Sequence, residues 1–240
     1  KPHLYSDALL DPARFKSWAQ QHAAGEAVVW LTIEGFYWFP RTLFGIEAHV
    51  LSFYDQPDLM HRMNADLAAY HLRMLERWCR DVCFPDFITF AEDLSYNHGP
   101  MLSRKHFDQF LVPYYARIVP WLRDRGIVPI VDSDGDLTHL LGWFEAAGIE
   151  GVLPLERMAN NDVAVLRQRH SRMKMIGAFD KMVMKNGEAA MRAEFERLLP
   201  VMRLGGFIPS VDHQTPPDVS LATYRVYVQL LREFVQKAVV

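Results

Sequence analysis

The chain is poor in cysteine: Cys79 and Cys83 are the only two among 240 residues. They sit one helical turn apart in a stretch that reads as helix. Two ligands are too few for a zinc site, and the spacing is not that of a redox pair. They read as buried structural thiols, in keeping with a reducing, cytoplasmic setting. No apolar run reaches 18 residues, so no membrane span is expected. The opening Lys1-Pro2-His3 shows no apolar core of a signal peptide. Positive charge is not in excess: 26 Lys and Arg stand against 29 Asp and Glu. That balance argues against a dedicated nucleic-acid binder, which carries a basic patch. Linkers, repeats and low-complexity segments are absent too, so residues 1–240 read as one domain.

What is present is a repeated unit. Half of the chain is apolar, enough for a substantial core. Six short apolar runs each end on an acidic residue or a His: Val28–Glu34, Asp86–Asp93, Ile127–Asp134, Gly151–Glu156, Lys174–Asp180 and Gly206–His213. Each is followed by helical periodicity, over Asp58–Arg80, two stretches from Ser103 to Arg125, Leu137–Ala147, Asp162–His170, Glu188–Arg203 and Leu221–Val235. Strand alternating with helix predicts an α/β fold with a parallel sheet. A complete eight-stranded barrel needs about 250 residues, and only six strands are visible. The chain is therefore expected to begin partway into a longer protein.

In such folds the strand C-termini lie on one face, where chemistry collects. That face would carry Glu34, Glu92, Asp93, Asp132, Asp134, Glu156, Asp180, Asp212 and His213. A ring of carboxylates around one His is costly unless protons, a metal or a ligand balance it. Asp132-Ser133-Asp134-Gly135-Asp136 suggests a calcium loop, but the EF-hand pattern fails at Leu137 and Trp143, where it needs Gly and Glu. Asp132 and Asp134, two apart on an extended segment, would point to the same side. Turn and cap chemistry is the competing reading of these acids. Tyr96 could bring a phenol to the same mouth. Phe36-Tyr37-Trp38-Phe39 reads as a loop whose aromatics form a flat apolar wall for a ring, with core packing for at least two of them. Glu156-Arg157 and Asp180-Lys181 read as local ion pairs.

Gly99-Pro100-Met101-Leu102-Ser103, with Phe107, Phe110 and Pro113-Tyr114-Tyr115, resembles a segment of the uroporphyrinogen decarboxylase superfamily. Glu92-Asp93-Leu94-Ser95-Tyr96, Val131–Gly135, Pro154-Leu155-Glu156 and Gly205–His213 are similar to its corrinoid-linked methyltransferase branch, which includes proteins associated with O-demethylation. The resemblance runs from about Val28 to Phe234. It implies a (β/α)8 TIM barrel with its first two β/α units absent from this chain. Relatives that methylate thiols bind zinc through a His-x-Cys and a later Cys. The matching positions here are Asp132, Asp134 and His213, with both thiolates gone. An oxygen-rich set accepts zinc or a harder divalent ion.

The resemblance therefore implies transfer of a methyl group from a small methylated substrate, a methyl ether, to the Co(I) of a corrinoid protein. Asp132, Asp134 and His213 are the expected metal ligands. Glu92, Asp93, Tyr96 and Asp180 are the expected catalytic groups. Glu34, Phe36, Tyr37, Trp38 and Glu156 are expected to contact the substrate. The partners are that substrate and the corrinoid protein, with no nucleic acid and no membrane; homo-oligomerisation is left open. The alternatives are a cofactor-independent decarboxylase, disfavoured because the mouth is acidic, and a non-catalytic barrel subunit.

Overall fold

The computed structural model describes residues 4–6 and 11–239; the Lys1-Pro2-His3 reading lies outside the described residues. A 3-10 turn, Pro12–Phe15, leads into α1 (Lys16–Ala23) and then β1 (Trp30–Glu34), α2 (Trp38–Phe44), α3 (Ile46–Asp55) and α4 (Pro57–Asp81). Next come β2 (Phe87–Ala91), the two-residue strands β3 (Ser95–Tyr96) and β4 (Gly99–Pro100), α5 (Arg104–Phe110) and α6 (Val112–Arg123). The chain continues through β5 (Val128–Asp132), α7 (Leu141–Ala146), β6 (Gly151–Leu153), α8 (Val163–Arg169), β7 (Lys174–Phe179), α9 (Glu188–Arg203), β8 (Phe207–Val211) and α10 (Leu221–Val239). The six long-range strands run in the order β1-β2-β5-β6-β7-β8. This is a partial TIM-barrel fold, with six strands of the eight in a closed barrel. No helix among the described residues is long and apolar enough to cross a membrane.

The chain forms two compact units. One comprises the chain through Glu92 with Leu102–Val131 and Ala146–Ile149; the other comprises Asp93–Met101, Asp132–Glu145 and the chain from Glu150. In the first unit, β1 and β2 pair in parallel, from Trp30 opposite Phe87 to Glu34 opposite Ala91. The apolar residues Ile88 and Phe90 of β2 are fully buried. The long helix α4 starts with Pro57 in its first turn, where a missing N–H costs nothing. Its buried stripe is Met60, Asn64, Leu67, Ala68, His71, Leu75 and Trp78, the spacing of one helical face. Two polar members of that stripe tie it to its neighbours: Asn64 Nδ2 donates to the Phe110 carbonyl at 3.0 Å and His71 Nε2 donates to the Glu34 carbonyl at 2.8 Å. Ser103 caps α5 by accepting from the His106 amide.

The second unit holds β6, β7 and β8, all parallel, with Met175 opposite Val152 on one side and Phe207 on the other. Its core stacks Phe179, Phe195, Tyr227 and Phe234 from β7, α9 and α10. Asp162 caps α8 through the Ala164 and Val165 amides.

Two local expectations are corrected. The helix expected from Leu137 starts at Leu141. The Asp136 side chain takes the Thr138 amide, and the Leu137 amide donates to Asn161 Oδ1 at 3.0 Å. Backbone donors committed to side chains form a turn there instead of a first helical turn. Of the aromatic run read as a loop after Glu34, Phe36 and Tyr37 do form a turn, whereas Trp38 and Phe39 begin α2. Pro40 falls in the first turn of that helix, where it is tolerated.

Candidate functional site

In the second unit, strand and hairpin ends bring acids together. Asp93 sits in the left-handed region at φ 41°, a conformation Asp tolerates better than most residues. Its Oδ1 accepts from the Asp134 amide at 3.2 Å. The Leu94 amide donates to Ser133 Oγ, Ser95 Oγ donates to the Asp136 carbonyl at 2.6 Å, and the Asp136 amide donates to the Tyr96 carbonyl. The β3–β4 hairpin is thus stitched to the loop that carries Asp134. Gly135 makes the stitch possible: its φ is 83°, and a Cβ there would lie 2.7 Å from the Ser95 carbonyl carbon. No other residue meets both demands without strain.

From the other strand ends come Glu156, Lys181, Asp212 and His213. His213 Nε2 lies 3.3 Å from Asp134 Oδ2. Asp134, Glu156 and His213 each offer one ligand atom, and these atoms all lie within 4.8 Å of one another. Two carboxylates and an imidazole at that spacing suit a divalent cation, zinc included. Asp132 is outside that group among the described residues. The reason is local: β5 ends at Asp132, so the two-residue alternation of an extended strand does not carry through to Asp134. The Asp132 carboxyl is pushed up to about 6, by burial first and then by Asp93 and Asp134, with His213 pulling the other way. Asp134 is also raised, by burial and by Asp93.

Asp212 is fully buried. Its two oxygens accept from the amides of Arg157 at 2.8 Å and Lys181 at 3.1 Å. Burial raises its pKa, and those two amides pull it back. Asp212 therefore clamps two loops and has little capacity left for a ligand. The local ion pairs read from sequence are both replaced. Glu156 pairs with Lys181 at 2.9 Å, and Arg157 pairs with Asp162 at 3.2 Å. Asp180, read as a catalytic group, caps its own turn through the Met182 amide at 2.8 Å. Tyr96 is 62 % exposed on the hairpin, its ring edge-on to His98.

Two residues of this cluster are not singled out as site residues by the sequence. Lys181 reads there only as the ion-pair partner of its neighbour Asp180. Asn161 carries no signal, yet it is 1 % exposed and joins two loops through three backbone groups. Its Nδ2 donates to the carbonyls of Gly135 at 2.8 Å and Glu156 at 3.1 Å, and its Oδ1 accepts from Leu137. It thereby sets the distance between the loops of Asp134 and Glu156.

In the first unit, Glu92 is enclosed completely. It accepts from the amides of Phe36 at 2.9 Å and Tyr37 at 2.7 Å, and from the Tyr115 hydroxyl in a short hydrogen bond. Burial pushes its carboxyl up to about 7 against the pull of Tyr115 and the amides of Tyr37, Phe36 and Trp38. A Cβ on Gly35 would lie 2.3 Å from this carboxylate. Both oxygens are committed to donors, so Glu92 anchors the entry to α2; the reading of it as a proton donor at an open mouth does not fit this geometry. Phe36 and Tyr37 are fully buried and Phe39 nearly so. Phe36 packs edge-on to Tyr115, and Tyr37 stacks on Phe53. The apolar wall is therefore core. Trp38 alone of the four is partly exposed, with the Arg41 guanidinium 4.2 Å above its ring. Glu34 ends β1 on its exposed side, its carboxyl raised by partial burial.

A family model described as uroporphyrinogen decarboxylase (URO-D) matches residues 44–234. Among solved structures the chain is similar to a methyltransferase from Methanosarcina mazei, at TM-score 0.64 and 15% identity. That match covers 89% of this chain and 61% of the other, so this chain spans about three fifths of that protein's length. A citrate synthase, SbnG, aligns at TM-score 0.34 and 12% identity over 92% of this chain and 78% of its own, too loosely to carry an argument. No curated protein is similar enough to match.

Proposed function

This chain belongs to the uroporphyrinogen decarboxylase family, and we propose that within it the chain is a methyltransferase. The methyl donor is a small methylated substrate, a methyl ether. The acceptor is the reduced corrinoid of a partner protein, which enters as a co-substrate. The observation that carries this reading is the group Asp134, Glu156 and His213, with ligand atoms within 4.8 Å of one another. A thiol-activating site uses soft thiolate ligands; this oxygen-rich set suits polarising an oxygen instead.

Ether cleavage is slow because an alkoxide or phenoxide leaves poorly, so the departing oxygen needs charge stabilisation. Asp134, Glu156 and His213 would hold a divalent ion, which would supply that stabilisation as a Lewis acid. The chain's own residues do the positioning. Asp93 fixes the Asp134 backbone, Asn161 holds the Asp134 and Glu156 loops at their spacing, and Asp212 ties the loops of Arg157 and Lys181 together. Tyr96, exposed on the stitched hairpin, would contact substrate or partner in this reading.

The decarboxylase reading needs cations to hold substrate carboxylates. In this cluster Lys181 is already engaged by Glu156, which disfavours it. The test is direct. The purified protein is incubated with a reduced corrinoid protein and a panel of methyl ethers and methylamines, and the corrinoid spectrum is followed. Methylation of the corrinoid by an ether supports the proposal. No methylation with any donor overturns it and favours a non-catalytic barrel.

A further inference from the structure

Glu156 takes part in two arrangements at once. It completes the ligand group with Asp134 and His213. Its Oε1 also lies 2.9 Å from Lys181 Nζ, and Asp212 Oδ1 lies 4.0 Å from the same ammonium. The Lys181 side chain is only 14 % exposed. Its main chain is tied by its amide to Asp212 and by the Asp180 cap on the next residue. The ammonium is therefore held beside the ligand group, with little freedom to retreat into solvent.

A divalent ion and an ammonium that share one carboxylate repel each other, and partial burial weakens the screening between them. Resting on the metal reading above, we propose that Lys181 is a competing internal cation that contends with the ion for Glu156 and keeps ion binding at this site weak and exchangeable. Lys181 is a positioning residue in this account. It acts on Glu156 and touches no reacting atom. A lysine that merely props Glu156 in place would have the opposite effect, because its removal would loosen the ligand set and weaken ion binding.

Zn2+ affinity separates the two. The ion is titrated into the purified protein in competition with a chromogenic chelator, alongside Lys181→Met, Lys181→Arg, Glu156→Gln and the Lys181→Met/Glu156→Gln double variant. Thermal melts of all five establish that they fold. Removing one positive charge at this range is expected to tighten Zn2+ binding about tenfold in Lys181→Met. Lys181→Arg, which keeps the charge, stays within about twofold of the parent. In the Glu156→Gln background the lysine substitution changes affinity less than about twofold, because the shared carboxylate is gone. If Lys181→Met does not fold, Lys181→Gln carries the same comparison. Folded Lys181→Met that binds Zn2+ no more tightly, or more weakly, overturns this proposal while the parent's binding still supports the metal reading. Failure of the parent and every variant to bind Zn2+ overturns the metal reading itself, and this inference with it.

Discussion

His213 Nε2 sits 3.3 Å from Asp134 Oδ2, although 79 positions separate the two in the chain. The strand that ends at Asp132 and the one that ends at Val211 deliver them to one place, and Glu156 joins them there.

That grouping predicts how metal content responds to substitution. Equilibrated with excess Zn2+, the parent takes up about one ion per chain, and Asp134→Ala and His213→Ala each lose that uptake. Asp132→Ala retains it, because Asp132 lies outside the group. Equilibrium dialysis against Zn2+ checks this. Loss of the ion in Asp132→Ala with retention in Asp134→Ala would reverse the ligand assignment.

The Glu92 cradle makes a stability prediction with a defined sign. Its carboxyl titrates at about 7 in the fold against an ordinary value of 4.5. A carboxyl raised in the fold holds its proton more tightly when folded. Its contribution is therefore fullest at acid pH and declines as pH rises from about 4.5 to about 7, by on the order of 3 kcal/mol. Glu92→Gln removes that dependence. Denaturant melts of parent and variant across this pH range should differ in slope, with the parent losing more stability as pH rises. Parallel profiles would count against a raised pKa at Glu92.

Gly135→Ala places a Cβ against the Ser95 carbonyl carbon at a positive φ. The hairpin and the Asp134 loop cannot both keep their positions. The expected cost is about 2 kcal/mol or more of stability, together with weaker Zn2+ binding. A variant with parental stability and affinity would show that the stitch has no bearing on the site.

Asn161→Ala removes one side chain that serves three backbone groups. Buried partners left without hydrogen bonds cost about 1–3 kcal/mol each at most, partly relieved by water. A loss of about 2–4 kcal/mol in denaturant unfolding is expected, with Asn161→Asp intermediate because it keeps the acceptor for Leu137.

Much of the framework was legible residue by residue. The span of α4, the Ser103 cap, the α9 boundaries at Glu188 and Arg203 and the cores of all six strands follow from neighbours two to four positions apart. Such spacings encode which face of an element is apolar, and that information is local. The acids at the strand ends were visible for the same reason.

Their partners were not. Glu156 turned from adjacent Arg157 to distant Lys181, Asp212 went to two backbone amides, and Glu92 disappeared beneath the first turn of α2. A buried charge takes whatever donors the packed loops bring within about 3 Å. Sequence distance says nothing about which loops those are. The chain's local patterns thus dictate the strands, helices and the acidic character of their ends. Which acid binds, which caps and which anchors follows from the long-range packing, because desolvation and pairing are settled only once the loops are in place.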